Sequence, residues 1–184
     1  MRCFLGLALP DPVLDLLERL QEDIPVGRLV PCENLHITLS FLDDQPEARL
    51  EALHQELLGL EAAPLRLELR GLGVTGGKSP RVLSAEVTAN AALTSLHRHL
   101  RAMAQACGIT LPRARFRPHV TLARFGPRLQ PGQLQQIHQL LQHFGGFTTP
   151  VFTVQQITLY QSTLLPEGAR YEALAQYPLR AETA

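Results

Sequence analysis

Two histidines, His36 and His119, stand 83 positions apart in almost the same wording: "NLHITLSFL" over 34–42 and "RPHVTLARF" over 117–125. Each is followed two residues later by a threonine, Thr38 and Thr121. Both stretches are rich in strong β formers and read as strands, on which alternate side chains share a face. His36, Thr38 and Ser40 then point one way, against Leu35, Ile37, Leu39 and Phe41. In the second copy His119, Thr121 and Ala123 oppose Val120 and Leu122. Each strand thus offers an imidazole beside a hydroxyl on one face and an apolar row for a core on the other.

Two imidazoles facing each other across a cleft suit displacement at phosphorus. A neutral ring accepts a proton from the nucleophile, and a charged one gives a proton to the leaving oxygen, because the unperturbed histidine pKa lies near 6.5. Hydroxyls alongside can donate to the non-bridging oxygens. A lone H-x-T is too short to mean anything, and a lone strand histidine is more often structural. Two copies at the centre of near-identical strands carry the functional reading. Zinc is the competing use of histidine, but it usually takes three or four protein ligands, and no third His, Cys or Asp lies at ligand spacing near either motif. No metal and no cofactor is expected. The other five histidines, at 54, 97, 99, 138 and 143, read as surface or boundary residues.

The elements that must position the pair also come twice. Strand "RCFLGLAL", a helix with Val13, Leu14, Leu17 and Leu20 behind Pro12, strand "NLHITLSFL", a helix with Leu50, Leu53 and Leu57 on one stripe, and strand "PLRLELRGLGV" lead to the loop "TGGKSP". Strand "RVLSAEV", helix 90–107, strand "RPHVTLARF", helix 133–144 and strand "FTVQQITLY" repeat the order, and "ARYEALAQYPL" adds a last strand. The expectation is an α+β fold in a single domain over 1–184. Two pseudo-symmetric lobes, sequence copies of about 1–75 and 80–184, each carry a mainly antiparallel sheet with helices outside and face each other across a cleft.

A chain of 184 residues with 45% hydrophobic and 18% charged residues has the profile of a soluble globular domain. No apolar run approaches the roughly 20 residues needed to cross a bilayer, which points to a cytoplasmic protein with no membrane partner. Cys3, Cys32 and Cys107 lack the paired spacing of a zinc or redox motif and read as free thiols. The net charge of zero hides an asymmetry: residues 87–166 contain seven arginines and no acid. Arginine's fork of donors binds oxyanions bidentately, so this stretch suits phosphate as well as it suits a solvated face. On those arginines alone, a non-catalytic RNA-binding module remains the alternative to an enzyme.

"HITL" at 36–39 and "HVTL" at 119–122 match the paired HxTx signature of the two-histidine phosphoesterases. The chain resembles their RNA 2′,3′-cyclic phosphodiesterase branch, the 2′-5′ RNA ligase family, nearly end to end, including "RCFLGLALP", "SPRVLSAEV" and "LYQSTLLPEGARYEAL". The resemblance implies a bilobal α+β hydrolase that opens a terminal ribose 2′,3′-cyclic phosphate to a 2′-phosphate. Its partners are RNA with such ends or related nucleotides; the chain is expected to be a monomer, and the same site can in principle run 2′-5′ ligation. By position, His36 is the proton donor to the departing O3′, His119 the base that activates water, and Thr38 and Thr121 hold phosphoryl oxygens. Phe41 and Arg124, each five places after a histidine, are substrate contacts under the repeat, although an odd offset points away from the cleft unless the strand bulges. Two positions depart from the family's wording: Asp43 stands where glycine is common, and Ser84 where an aromatic is.

Overall fold

A computed structural model describes residues 1–77, 79–113, 115–166 and 168–180. Lys78 of the TGGKSP loop, Ala114, Glu167 of the closing segment and residues 181–184 lie outside the described residues. In chain order the elements are β1 (Arg2–Ala8), α1 (Asp11–Glu22), β2 (Arg28–Leu29), β3 (His36–Asp44), α2 (Glu47–Leu58), β4 (Leu65–Leu67) and β5 (Leu69–Thr75). There follow β6 (Val82–Val87), α3 (Ala91–Ala106), β7 (His119–Arg124), α4 (Pro131–His143), β8 (Phe152–Val154), β9 (Gln156–Leu165) and β10 (Gly168–Pro178). The chain is α+β, with antiparallel pairing between its strands.

The main sheet runs β10-β9-β1-β3-β7-β6-β5, with β2 also paired to β7, and β4 with β8 forms a separate ribbon. β3 and β7 pair antiparallel at Ile37 and Val120, where the two halves of the sheet join. The halves draw on distant parts of the chain. β9 and β10 return from the C-terminal end to pair beside β1, while β5 pairs with β6.

The helices form because their apolar residues fall on one stripe. Val13, Leu17 and Leu20 of α1, Leu50, Leu53 and Leu57 of α2, and Leu93, Leu96 and Leu100 of α3 are all buried. They share one core with Leu5, Leu7, Ile37, Leu39, Val120 and Leu122 of the strands. Ile137 and Leu140 of α4 close a smaller core with Val26, Leu83, Ala123 and Phe125. Each such side chain contributes roughly 1.5–3 kcal/mol by burial, so a one-residue slip of β3 or β7 would expose a row of them. That row fixes the opposite face, the one carrying His36 and His119, away from the helices.

Candidate active site

Both histidines are held the same way. His36 Nδ1 lies 2.7 Å from the carbonyl of Asn34 and His119 Nδ1 lies 2.8 Å from the carbonyl of Arg117, in each case two residues back. A carbonyl only accepts, so Nδ1–H is the donor in both rings, and in the neutral state Nε2 carries the lone pair. Both rings therefore offer the same nitrogen for proton transfer. His36 Nε2 lies 3.0 Å from Thr38 Oγ1. Thr38 donates to it when the ring is neutral and accepts from it when the ring is charged.

The rung at Ile37 and Val120 places His36 across from Thr121, and Thr38 across from His119. Diagonal cross-strand neighbours such as His36 and His119 stand roughly 7–8 Å apart at the backbone, which puts both side chains on one stretch of the same face. The rings also feel each other: His119 is among the charges that disfavour protonation of His36.

The two rings have different surroundings. His36 packs against Phe4 at 4.7 Å and edge-on to Tyr171 at 5.2 Å, with Tyr160 at 6.0 Å. Gly6 leaves room for this, since a Cβ there would lie 3.2 Å from the Ile37 carbonyl oxygen, 3.3 Å from the Phe4 ring and 3.4 Å from the imidazole. Burial in this aromatic box, with smaller contributions from Arg124 and His119, lowers the His36 pKa to about 4, against the opposing hydrogen bond to Asn34. Opposite His119 on β6 lies Glu86, and opposite Thr121 lies Ser84.

A cavity of about 430 Å³ opens beside His36 and is lined by His36, Thr121, Arg28, Arg124, Arg170 and Tyr171 among others, while His119 and Thr38 are not among its lining residues. It is large enough for a nucleotide-sized ligand. A second cavity of about 390 Å³ shares Arg28, Arg124 and Tyr171 and adds Arg2, Phe4 and Phe41. Of the seven arginines in the acid-free stretch, only Arg124 lines either cavity; Arg2, Arg28 and Arg170 come from outside it. Arg28 stands opposite Arg124 in the β2–β7 register, and both line the two cavities. Two guanidinium-bearing residues lining one cavity favour an anionic ligand there.

The strict alternation expected for the two motif strands is broken. Opposite β1 the register slips between Leu5–Ser40 and Gly6–Thr38, leaving Leu39 as an extra residue. Opposite β6 it slips between Leu83–Ala123 and Ser84–Thr121, leaving Leu122 as an extra residue. A one-residue bulge reverses the facing of everything after it. Ser40 and Ala123 therefore turn to the buried side and do not share the face of His36 and His119. Phe41 and Arg124 turn to the cleft face, where Phe41 pairs with Phe4 and is 56% exposed. A further slip precedes Asp43, which adopts a left-handed φ of 55°, a conformation that favours glycine. Ser84 is fully buried, its hydroxyl 3.4 Å from the Gly73 carbonyl, a space an aromatic would not fit unchanged.

His97 is not a surface residue: it is buried, with Nδ1 2.7 Å from the Leu39 carbonyl and its ring stacked on Phe116. Strand and helix patterns also left out Arg28, Phe4, Tyr160 and Tyr171. Phe4, Tyr160 and Tyr171 lie in stretches that carry the family resemblance, but nothing in their strand patterns singles them out, and Arg28 has no signal beyond residue type.

The same fold occurs in a crystal structure described as a phosphoesterase, with a TM-score of 0.76 at 24% identity over 97% of this chain and 98% of that one. The crystal structure of TT0787 of Thermus thermophilus gives 0.78 at 30% identity, covering 99% of this chain and 100% of that one. The chain belongs to the 2′-5′ RNA ligase superfamily, whose family model matches residues 9–164. An RNA 2′,3′-cyclic phosphodiesterase of Thermus thermophilus is 33% identical over 99% of this chain and 92% of its own length. One of Aquifex aeolicus is 28% identical, with 97% of each chain covered. One of Geobacillus stearothermophilus is 31% identical over 96% of this chain, which spans 56% of that protein. Among the described residues, no helix is long and apolar enough to cross a membrane.

Proposed function

We propose that the chain is an RNA 2′,3′-cyclic phosphodiesterase that opens a terminal ribose 2′,3′-cyclic phosphate to a 2′-phosphate by acid–base catalysis with His36 and His119. The observation that carries this reading is the shared anchoring of the two rings, each tied through Nδ1 to the carbonyl two residues back, which leaves Nε2 as the reactive nitrogen of both. Membership of the superfamily and the names of its relatives support the substrate class.

In the reaction His119 Nε2 takes a proton from water as the water oxygen attacks phosphorus. The P–O3′ bond breaks on the far side, and His36 Nε2–H gives its proton to O3′. One O–H bond of water and the P–O3′ bond break; a P–O bond and the ribose 3′-OH form. Thr121, with Arg124 beside it, receives the non-bridging oxygens. Thr38 holds the His36 Nε2 proton until the leaving oxygen takes its place. Phe41, exposed in the adjoining cavity, offers a face for stacking a base.

The low pKa of His36 leaves it neutral in the free protein near neutral pH, while its role requires a proton. The substrate supplies the difference. A phosphodiester anion between the rings opposes the charges of Arg124 and His119 and favours imidazolium over imidazole. His36 thus becomes an acid as substrate binds.

The reading assigns the protein to the cytoplasm as a monomer acting on RNA ends. An oligonucleotide ending in a 2′,3′-cyclic phosphate, incubated with the protein in chelator, tests it: a 2′-phosphate product is expected. A 3′-phosphate product would contradict O3′ as the leaving oxygen, and salt-sensitive binding without turnover would leave the RNA-binding alternative in its place.

A further inference from the structure

We propose that Gln21 and His97 are positioning residues: each clamps the carbonyl of a bulged leucine in an HxTx strand and thereby decides that Arg124 and Phe41, rather than Ala123 and Ser40, enter the cleft. The inference rests on the reading of Arg124 and Phe41 as substrate contacts.

A bulge frees backbone groups from the ladder, and a buried carbonyl without a partner costs about 1–3 kcal/mol. Both bulged carbonyls have side-chain donors. The Leu39 carbonyl accepts from His97 Nδ1–H at 2.7 Å, across 58 residues of chain. The Leu122 carbonyl accepts from the Gln21 amide at 2.9 Å, across 101 residues, and from the Val30 N–H at 2.9 Å. The same Gln21 amide also reaches the Val30 carbonyl at 2.8 Å.

Each clamp fits its purpose. Gln21 is the one polar residue among the buried side chains of α1, and its two amide hydrogens match two carbonyls, that of Leu122 in β7 and that of Val30 just after β2. It therefore fixes β2 against β7, the pairing that sets Arg28 beside Arg124. His97 is locked in one tautomer by a carbonyl acceptor, and its ring lies 3.8 Å from Phe116 at 5° between planes. Phe116 immediately precedes Arg117, whose carbonyl holds His119. The clamps are crossed: α1, before the first motif, holds the second motif's strand, and α3, before the second, holds the first's. One device recurs in both halves with different residues, which a packing accident in one half would not produce.

Gln21→Met keeps length and apolar bulk while removing both donors. His97→Phe keeps the stack on Phe116 and removes the Nδ1 donor. With the cyclic-ended oligonucleotide as substrate, Gln21→Met is expected to raise KM about 10-fold, equivalent to one buried hydrogen bond, and to leave the pH dependence of kcat in place. In an Arg124→Ala background the same change should add less than about twofold, because its target is already gone. His97→Phe should behave likewise against Phe41→Ala. An unchanged KM, or an equal rise in both backgrounds, overturns the proposal. If Gln21→Met does not fold, the His97→Phe pair decides the question; if neither folds, the clamps serve stability alone and the proposal fails. A wild-type protein without turnover counts instead against the phosphodiesterase reading. The Kd of a 2′-phosphate-ended oligonucleotide then replaces KM in the same comparison.

Discussion

Ile37 and Val120 stand opposite each other where β3 meets β7, and their side chains are both fully buried. That one rung links the duplicated motifs. It sends two apolar side chains into the core and so turns the flanking His36, Thr38, His119 and Thr121 to the open face.

If the rings act as an acid–base pair, His36→Ala and His119→Ala each lower kcat by roughly 10²–10⁴-fold. The double variant should be little worse than either single one, since the two groups act in one step. Steady-state rates on a cyclic-ended oligonucleotide, with and without chelator, check this. Near-normal activity in either alanine variant would be incompatible with the mechanism.

The aromatic box around His36 predicts a titration midpoint at about 4 in the free protein, well below the ordinary 6.5. Inorganic phosphate at saturating concentration should move it upward by about one unit or more, on the order expected for an opposite charge within a few ångströms. Imidazole NMR shifts followed against pH report both numbers. A free-protein midpoint near 6.5, or no rise with phosphate, contradicts the account of how this acid is charged.

The same depression makes stability depend on pH. Between about pH 6.5 and 4 the unfolded chain protonates His36 and the native chain does not, so the unfolded state binds more protons and stability falls as pH falls. A shift of this size corresponds to at most about 3.5 kcal/mol, and less where water reaches the ring edge facing the cleft. Urea midpoints at about pH 7 and pH 4.5, on either side of most of this window, should separate by less in His36→Gln than in the wild type. Equal separations would show that His36 does not contribute.

Asp43 carries a left-handed backbone that costs an L-residue about 1 kcal/mol. Asp43→Gly is expected to raise the unfolding free energy by up to about that amount, reduced by the greater freedom of glycine in the unfolded chain. Thermal melts compare the two directly, with a lower Tm for the glycine variant as the adverse result.

Much of this site could be read before any coordinates. The imidazole–hydroxyl pairs, the apolar rows of Ile37 and Val120, and the α+β order of elements all follow from local periodicity, because local periodicity is what builds them. The facing of Ser40, Phe41, Ala123 and Arg124 was beyond such a reading. It turns on two bulges held by His97 and Gln21 from helices 58 and 101 residues away, which no pattern within the strand encodes. Arg28 and Tyr171 escaped for a related reason. They reach the cavity through strand pairing with β7 and β9, and their own segments show nothing but a short edge strand and a long hairpin.

The central claim is displacement at phosphorus with O3′ as the leaving oxygen, and hydrolysis in ¹⁸O-labelled water tests it most directly. The account predicts a 2′-phosphate carrying one solvent oxygen on phosphorus, an unlabelled ribose 3′-OH, and almost no product from His119→Ala. Label on the sugar oxygen, a 3′-phosphate, or unchanged turnover by His119→Ala would contradict it.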